Sequence, residues 1–555
     1  MPAHHPSMSF LDDIFASLER AGDTPLLQEI RDGRISGATG WELLEQVGRA
    51  RVFLVERGLT KGDRCALYAG NGIRWVVMDL ALMAEGVMVV PLYARQAPAE
   101  LVRMMKDCSP ALICCADSAL RDGIAQQWPG APAQVLFDDI FATSAALRAK
   151  PALSDADPVT IIYTSGTSGE AKGVVLNAGN VAHMLGCIDG RLDLLMDGKK
   201  QQDQVFHYLP FVFAGSWMLL MTSLRRGSLL TLNTDLGKIA EDMRTVAPDY
   251  FLNVPALLER MRRAVDEQLW QAGGFVQGIY SRAKGAWARK HEGTSKVLDW
   301  MWLSLANSAI FPTIRKKMIG RNLRALICGS APLSVETQLF FMMLGIPVLQ
   351  SYGLTETSAI CTLDDPRHYE AGRVGPAISG IEMKLGENEE VVARGPNIFP
   401  GYWNRPEESA RALRNGWFHT GDQGEVDASG NWRIVGRIKN LIILGSGHNI
   451  APEPMEEKVL EQLPSAAQVV LVGNGKGYLS AIVTGNVTSE QAQAAMDVVN
   501  SQFPHYQQIR AFHVRTEPFT IENGLLTANG KLRRDRIAHT LRGEIEEMYS
   551  VKVAV

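Results

Sequence analysis

The stretch Tyr163-Thr164-Ser165-Gly166-Thr167-Ser168-Gly169-Glu170-Ala171-Lys172-Gly173 constrains this chain more than any other. Directly behind the apolar run Val159 to Ile162 it sets four Ser/Thr hydroxyls, three glycines and one lysine. Such a segment suits a strand ending in a loop that grips polyphosphate. Glycines let backbone N–H groups approach phosphate oxygens, hydroxyls donate further hydrogen bonds, and lysine adds a mobile positive charge. The pattern is not G-x-x-x-x-G-K-[ST], because Lys172 lies between Ala171 and Gly173. A helix-opening phosphate cradle is therefore not expected. Taken alone, the stretch also fits a plain Gly/Ser surface loop.

A chain of 555 residues exceeds one hydrophobic core and should split into domains. With 46% hydrophobic and 21% charged residues it reads as an ordinary globular protein, and the net charge of −4 gives no reason to expect nucleic acid. The seven cysteines are scattered, without a C-x-x-C pair or histidines at metal-ligand spacing, as expected in a reducing cytosol. The start, Met1 to Phe15, lacks a basic segment followed by an apolar run, which argues against a secretory signal. Asp79, Glu85, Gly86 and Pro91 interrupt the most hydrophobic stretch, Trp75 to Tyr93, which reads as a buried helix and a strand.

Short β-rich runs (64–68, 87–91, 111–115, 160–163, 325–328) alternate with helix-length segments, predicting α/β architecture with mainly parallel sheets. From Gly372 the strands shorten and Gly, Pro and Asn become frequent, suggesting a small β-barrel over 372–437. The expected organisation is a large N-terminal domain, 1–437, and a small mobile α+β domain, 438–555. Between Arg282 and Arg321, nine Lys/Arg accompany Trp287, Trp300, Trp302 and Phe311. That mixture suits an amphipathic helix peripheral to an anionic membrane; a helical hairpin with a solvated basic face is the alternative.

Five more segments carry chemistry. Gly329-Ser330-Ala331-Pro332 is a bend that can approach a flat base, and Tyr352-Gly353-Leu354-Thr355-Glu356 offers an aromatic face, a hydroxyl and a carboxylate. Asp422 ends Trp417-Phe418-His419-Thr420-Gly421-Asp422, Arg437 precedes Ile438-Lys439-Asn440, and Lys531 follows the Gly/Asn-rich turn 523–530. In this order, together with the 163–173 loop, they resemble the adenylate-forming superfamily of acyl-CoA synthetases, adenylation domains and luciferases. The loop form there is Y-T-S-G-T-T-G-x-P-K-G; here Ser168 keeps a hydroxyl and Ala171 replaces proline.

The resemblance implies activation of a carboxylic acid by ATP to acyl-AMP, then thioester formation with CoA. It implies that Thr164, Ser165, Gly166, Thr167, Ser168, Gly169 and Lys172 hold the β- and γ-phosphates. Glu356 would help hold Mg²⁺, with Thr355 beside the α-phosphate. Tyr352 and Gly353 would meet adenine on one side and Gly329, Ser330, Ala331 and Pro332 on the other. Asp422 and Arg437 would take the ribose, and Lys531 would bridge the acid and the α-phosphate. Lys439 would be the hinge on which the small domain turns, bringing Gly445, Gly447 and His448 near the pantetheine.

The segment 441–457 and the basic insertion resemble bacterial long-chain fatty acyl-CoA synthetases, so the expected acid is a medium- or long-chain fatty acid. Phe211, Phe213 and Trp217 would line its site, Phe213 standing where many relatives have histidine. Two alternatives stand beside this: a fatty acyl-AMP ligase serving a separate carrier protein or another acceptor, and a non-catalytic nucleotide-binding protein. The resemblance also allows a homodimer.

Overall fold

The computed structural model describes residues 9–142, 144, 149–165, 171–199, 201–271, 273–320, 322–527 and 530–550. Gly166, Thr167, Ser168 and Gly169 lie outside the described residues. The chain divides into two compact units: Met1–Glu382, Ala393–Phe418 and Ala428–Trp432 form one, and Met383–Val392, His419–Asp427 and Arg433–Val555 the other. Strand residues 419–426 and 433–437 group with the C-terminal residues.

The first unit holds two large α/β sheets. One runs Gln134–Leu136, Leu112–Cys115, Arg64–Tyr68, Met88–Leu92, Pro158–Ser165, Ala171–Asn177. It is parallel until its last strand, which returns antiparallel with Thr164 opposite Lys172. Strands Leu112–Cys115 and Met88–Leu92 are buried throughout, as parallel strands covered on both faces must be. Ten residues of helix Ile73–Ala84 are buried, so its hydrophobicity reflects core packing all round. The most apolar stretch is thus a helix and a strand, as expected. No helix among the described residues is long and apolar enough to cross a membrane.

The second sheet has eight strands, in the order Thr362–Leu363, Val348–Tyr352, Ala325–Cys328, Tyr250–Asn253, Gln204–His207, Leu229–Asn233, Pro25–Arg31, Arg34–Thr39. The six strands between the two edges are parallel. Strand Gln204–His207 lies between Leu229–Asn233 and Tyr250–Asn253, so the chain reverses its direction of travel across the sheet there.

In the second unit, Ala466–Val472, Leu479–Gly485 and Ile509–Arg515 make a three-stranded sheet. Helices Glu453–Gln462 and Ser489–Asn500 supply Val459 and Met496 to the core on one face. Phe519, Ile537, Leu541 and Met548 close the other. The residues expected to form a small barrel include the strands Glu390–Arg394, Trp417–Val426 and Trp432–Arg437, with Trp417–Val426 pairing with both others. Six of the seven cysteines are buried and none is in a disulfide, in keeping with small core residues.

Candidate active site

Open α/β sheets bind ligands beyond the carboxyl ends of their strands, where strand order reverses. In the eight-stranded sheet that edge is formed by the residues following His207, Asn253, Cys328 and Tyr352. Gly329 leaves its strand so close to a neighbour that a Cβ would sit 2.7 Å from Ser351 Oγ, and Ser330 takes φ +72°. Ser330, Ala331 and Pro332 are exposed, while Tyr352 is half-buried at the end of its strand.

At Gly353 a Cβ would lie 2.3 Å from the Ala359 carbonyl oxygen. Glycine there lets the chain double back through the turn Thr355–Thr357. Ser358 and Ala359 follow at φ +53° and +97°, conformations that cost about 1–3 kcal/mol each unless the surroundings fix them. Buried Asn397 does so. Its Nδ2 donates to the carbonyls of Thr357 and Ile360, both at 3.1 Å, and Ser358 Oγ donates to the Asn397 carbonyl at 2.8 Å. Thr355 and Glu356 therefore ride on a clamped turn.

Two side chains absent from the sequence expectations join that turn to Lys172. The Tyr402 hydroxyl donates to Glu356 Oε1 at 2.8 Å. Lys172 Nζ lies 5.3 Å from the centre of the Tyr402 ring and pairs with the Glu408 carboxylate. The backbone supports this contact: Trp403 N donates to Gly173 O at 2.7 Å, and Val174 bridges Tyr402. Lys172 lies on strand Ala171–Asn177 and not at the opening of a helix. Thr164 and the Ser165 backbone end the preceding strand. The sequence signal for Tyr402 was slight: an aromatic after Pro400-Gly401 in a turn-rich tract.

The three residues expected at the acyl wall separate. Phe211 is buried between Trp75, at 5.0 Å, and the His207 ring, stacked at 5.1 Å. Trp217 is buried and donates to Asp79 Oδ2 at 2.7 Å. Both are thus enclosed by side chains distant in sequence. Phe213, half-buried, precedes helix Ala214–Arg226 and meets Tyr93 at 6.2 Å. Burial pushes the Asp79 carboxyl up to about 7, the Trp217 hydrogen bond opposing it. Burial lowers His207 to about 4, and its Nε2 lies 2.5 Å from Ser216 Oγ.

A second group assembles within the second unit. Asp422, nearly inaccessible, pairs with Arg437 Nε at 2.7 Å. Thr420 Oγ1 orients that strand by accepting from Asp422 N at 3.0 Å while donating to Val391 O at 2.7 Å. Desolvation lowers Lys439 to about 8, reinforced by the positive charge of Arg437 and then opposed by Asp535 and Asp422. The Lys531 ammonium lowers it further.

Lys531 is held by its backbone: its N donates to Thr527 Oγ1 at 3.0 Å and its carbonyl accepts from Thr527 N at 2.8 Å. Three residues on, Arg534 grips buried Glu456 with two hydrogen bonds, which anchors the lysine turn to helix Glu453–Gln462. In the 445–450 loop Gly447 takes φ +85°, and His448 stacks on Tyr506 at 4.2 Å. The first unit thus brings Lys172, Tyr402 and Glu356 together, and the second brings Asp422, Arg437, Lys439 and Lys531 together.

Comparison with known proteins matches residues 15–403 to the AMP-binding enzyme model and 439–552 to the AMP-binding enzyme C-terminal domain model. The long-chain-fatty-acid–CoA ligase FadD15 of Mycobacterium bovis is 26% identical over 95% of each chain. Long chain acyl-CoA synthetase 3 of Arabidopsis thaliana is 25% identical, covering 97% of this chain and 91% of its own. Among solved structures, the O-succinylbenzoate coenzyme A synthetase (MenE) of Bacillus subtilis with ATP and magnesium ion shares the fold. Its TM-score is 0.73 at 19% identity, covering 94% of this chain and 98% of that one.

Proposed function

Because the chain belongs to the AMP-binding enzyme family, we propose that it is an AMP-forming acid–thiol ligase converting a medium- or long-chain fatty acid to its CoA thioester. The observation that carries this reading is the linked set Lys172, Tyr402 and Glu356 beside the carboxyl edge of the eight-stranded sheet. The acid class comes from the relatives, whose names specify long-chain fatty acids over nearly the whole chain.

A carboxylate is a poor electrophile because oxide would have to leave, and joining it to AMP supplies a leaving group. In the first half-reaction a carboxylate oxygen attacks the α-phosphorus and the bond to the β-phosphate oxygen breaks, releasing pyrophosphate. Charge gathers on the α-phosphate, so positioning and electrostatics do most of the work. Lys172, with Thr164 and the loop that follows, holds the β- and γ-phosphates. Thr355 donates to the α-phosphate, Tyr352 stacks on adenine, and Asp422 with Arg437 takes the ribose hydroxyls. Lys531 meets the acid and the α-phosphate.

Glu356 fits Mg²⁺. It offers carboxylate oxygen to a hard cation that takes its other ligands from phosphate and water, and the Tyr402 hydroxyl fixes its orientation. Bound there, the ion would offset phosphate charge. In the second half-reaction the CoA thiolate attacks the acyl carbon and AMP leaves. We assign Lys439 the hinge for the change between halves and Gly445, Gly447 and His448 the pantetheine side.

Purified protein given ATP, Mg²⁺ and a fatty-acid mixture, with and without CoA, tests this by mass spectrometry. Acyl-CoA is the expected product. Acyl-AMP that accumulates despite CoA would indicate a different acceptor, and no ATP consumption would remove the enzymatic reading.

A further inference from the structure

The ammonium assigned to the β- and γ-phosphates already has an anionic partner within the chain. Lys172 Nζ pairs with the Glu408 carboxylate, the two side chains being 25% and 31% exposed. Glu408 Oε2 is closed off from solvent, and apart from that ammonium no hydrogen-bond donor among the described residues reaches it. A shielded carboxylate oxygen depends on a nearby cation for its stability. The other cation at hand is committed elsewhere. Arg405 stands 3.9 Å from Glu408 Oε1 but 3.1 Å from Asp107, whose second oxygen accepts from the Tyr163 hydroxyl at 2.7 Å. The Lys172 ammonium is therefore what chiefly compensates Glu408.

The support under Glu408 is firm. It lies on the short helix Pro406–Ala412, where the next residue, Ser409, donates from Oγ to Arg405 O at 2.7 Å and accepts from Tyr402 N at 2.8 Å. Glu408 is thereby tied to the segment whose Tyr402 ring lies near the lysine. Polyphosphate and Glu408 compete for one ammonium. A ligand that must displace an internal partner loses affinity in proportion to how seldom that partner is away.

We propose that Glu408 is a positioning residue for pyrophosphate release: it holds Lys172 before ATP binds, yields it to the polyphosphate, and reclaims it as pyrophosphate departs. This rests on the assignment of Lys172 to the β- and γ-phosphates. The test is calorimetric titration of the full-length protein with pyrophosphate and with ATP, both in Mg²⁺, beside the KM for ATP. Glu408→Gln keeps the shape and removes the charge. Both ligands should then bind about threefold to tenfold more tightly, and the KM for ATP should fall while kcat does not rise. Damage to the fold would weaken binding, so the direction of the change separates positioning from structure. Glu407→Gln removes the same charge one residue away, from a side chain 86% exposed and 3.6 Å from Arg411, and should leave both affinities unchanged. Equal or weaker binding in Glu408→Gln, or the same tightening in both variants, would overturn the role of Glu408 and leave the proposed reaction standing. A wild type that binds neither ligand would remove the assignment of Lys172, and the role of Glu408 with it.

Discussion

Tyr402 touches two opposite charges by different means: its hydroxyl donates to Glu356 and its ring lies beneath the Lys172 ammonium. Removing the hydroxyl separates these effects. Tyr402→Phe keeps the ring but frees Glu356 to rotate, so kcat/KM for MgATP should fall about tenfold, with the loss largest at low Mg²⁺. A variant indistinguishable from wild type across a magnesium titration would show that the tyrosine does not orient the carboxylate. Asp79 offers a second prediction, in stability. Its unfolded carboxyl ionises near pH 4 and its folded one near 7, so between these values the folded state binds the extra proton. Stability contributed by this group therefore declines as pH rises through that window, and the cost is fully present above it. Asp79→Asn should raise stability at pH 8 by about 1–3 kcal/mol once the burial of the amide is counted, with a smaller gain at pH 5. A melting-temperature difference that does not vary with pH would rule out the raised carboxyl.

At the scale of elements, Gly353 decides whether the Thr355–Thr357 turn can exist. A methyl group there meets the Ala359 carbonyl at 2.3 Å, so Gly353→Ala must displace the segment clamped by Asn397. The cost should be about 1–3 kcal/mol, read as a lower melting temperature together with loss of at least tenfold in kcat/KM; unaltered values for both would mean the turn is not rigid. Several elements were legible in the sequence because their information is local. Arg64–Tyr68 and Ala325–Cys328 read directly as apolar β-rich runs, and the Lys172 spacing excluded a helix-opening loop. What escaped notice is long-range. Glu408 lies far along the chain from Lys172, and nothing near either residue announces the pair. The neighbours of Phe211 and Trp217 are equally long-range, because a run of bulky residues does not reveal what each will pack against. Trp75 and Asp79, distant in sequence, meet them.

For the molecule as a whole, alternating strands and helices gave the α/β class, whereas the division into compact units depends on strand pairing. Trp417–Val426 joins strands on both sides of it, so residues 419–427 and 433–437 cluster with the C-terminal residues in a way that composition does not announce. The proposed change between half-reactions belongs to this scale. If backbone torsions at Lys439 carry it, Lys439→Pro, which fixes φ near −65°, should leave pyrophosphate release intact and cut acyl-CoA formation at least tenfold. Parallel loss of both rates would place the hinge elsewhere. The central claim, that this chain makes an acyl-adenylate through Lys531, is tested most directly by fatty-acid-dependent exchange of labelled pyrophosphate into ATP, run without CoA. The account predicts exchange in the wild type and its near-complete loss in Lys531→Ala, while that variant still forms thioester from supplied acyl-AMP and CoA. No acid-dependent exchange in the wild type, or equal exchange in Lys531→Ala, would contradict it.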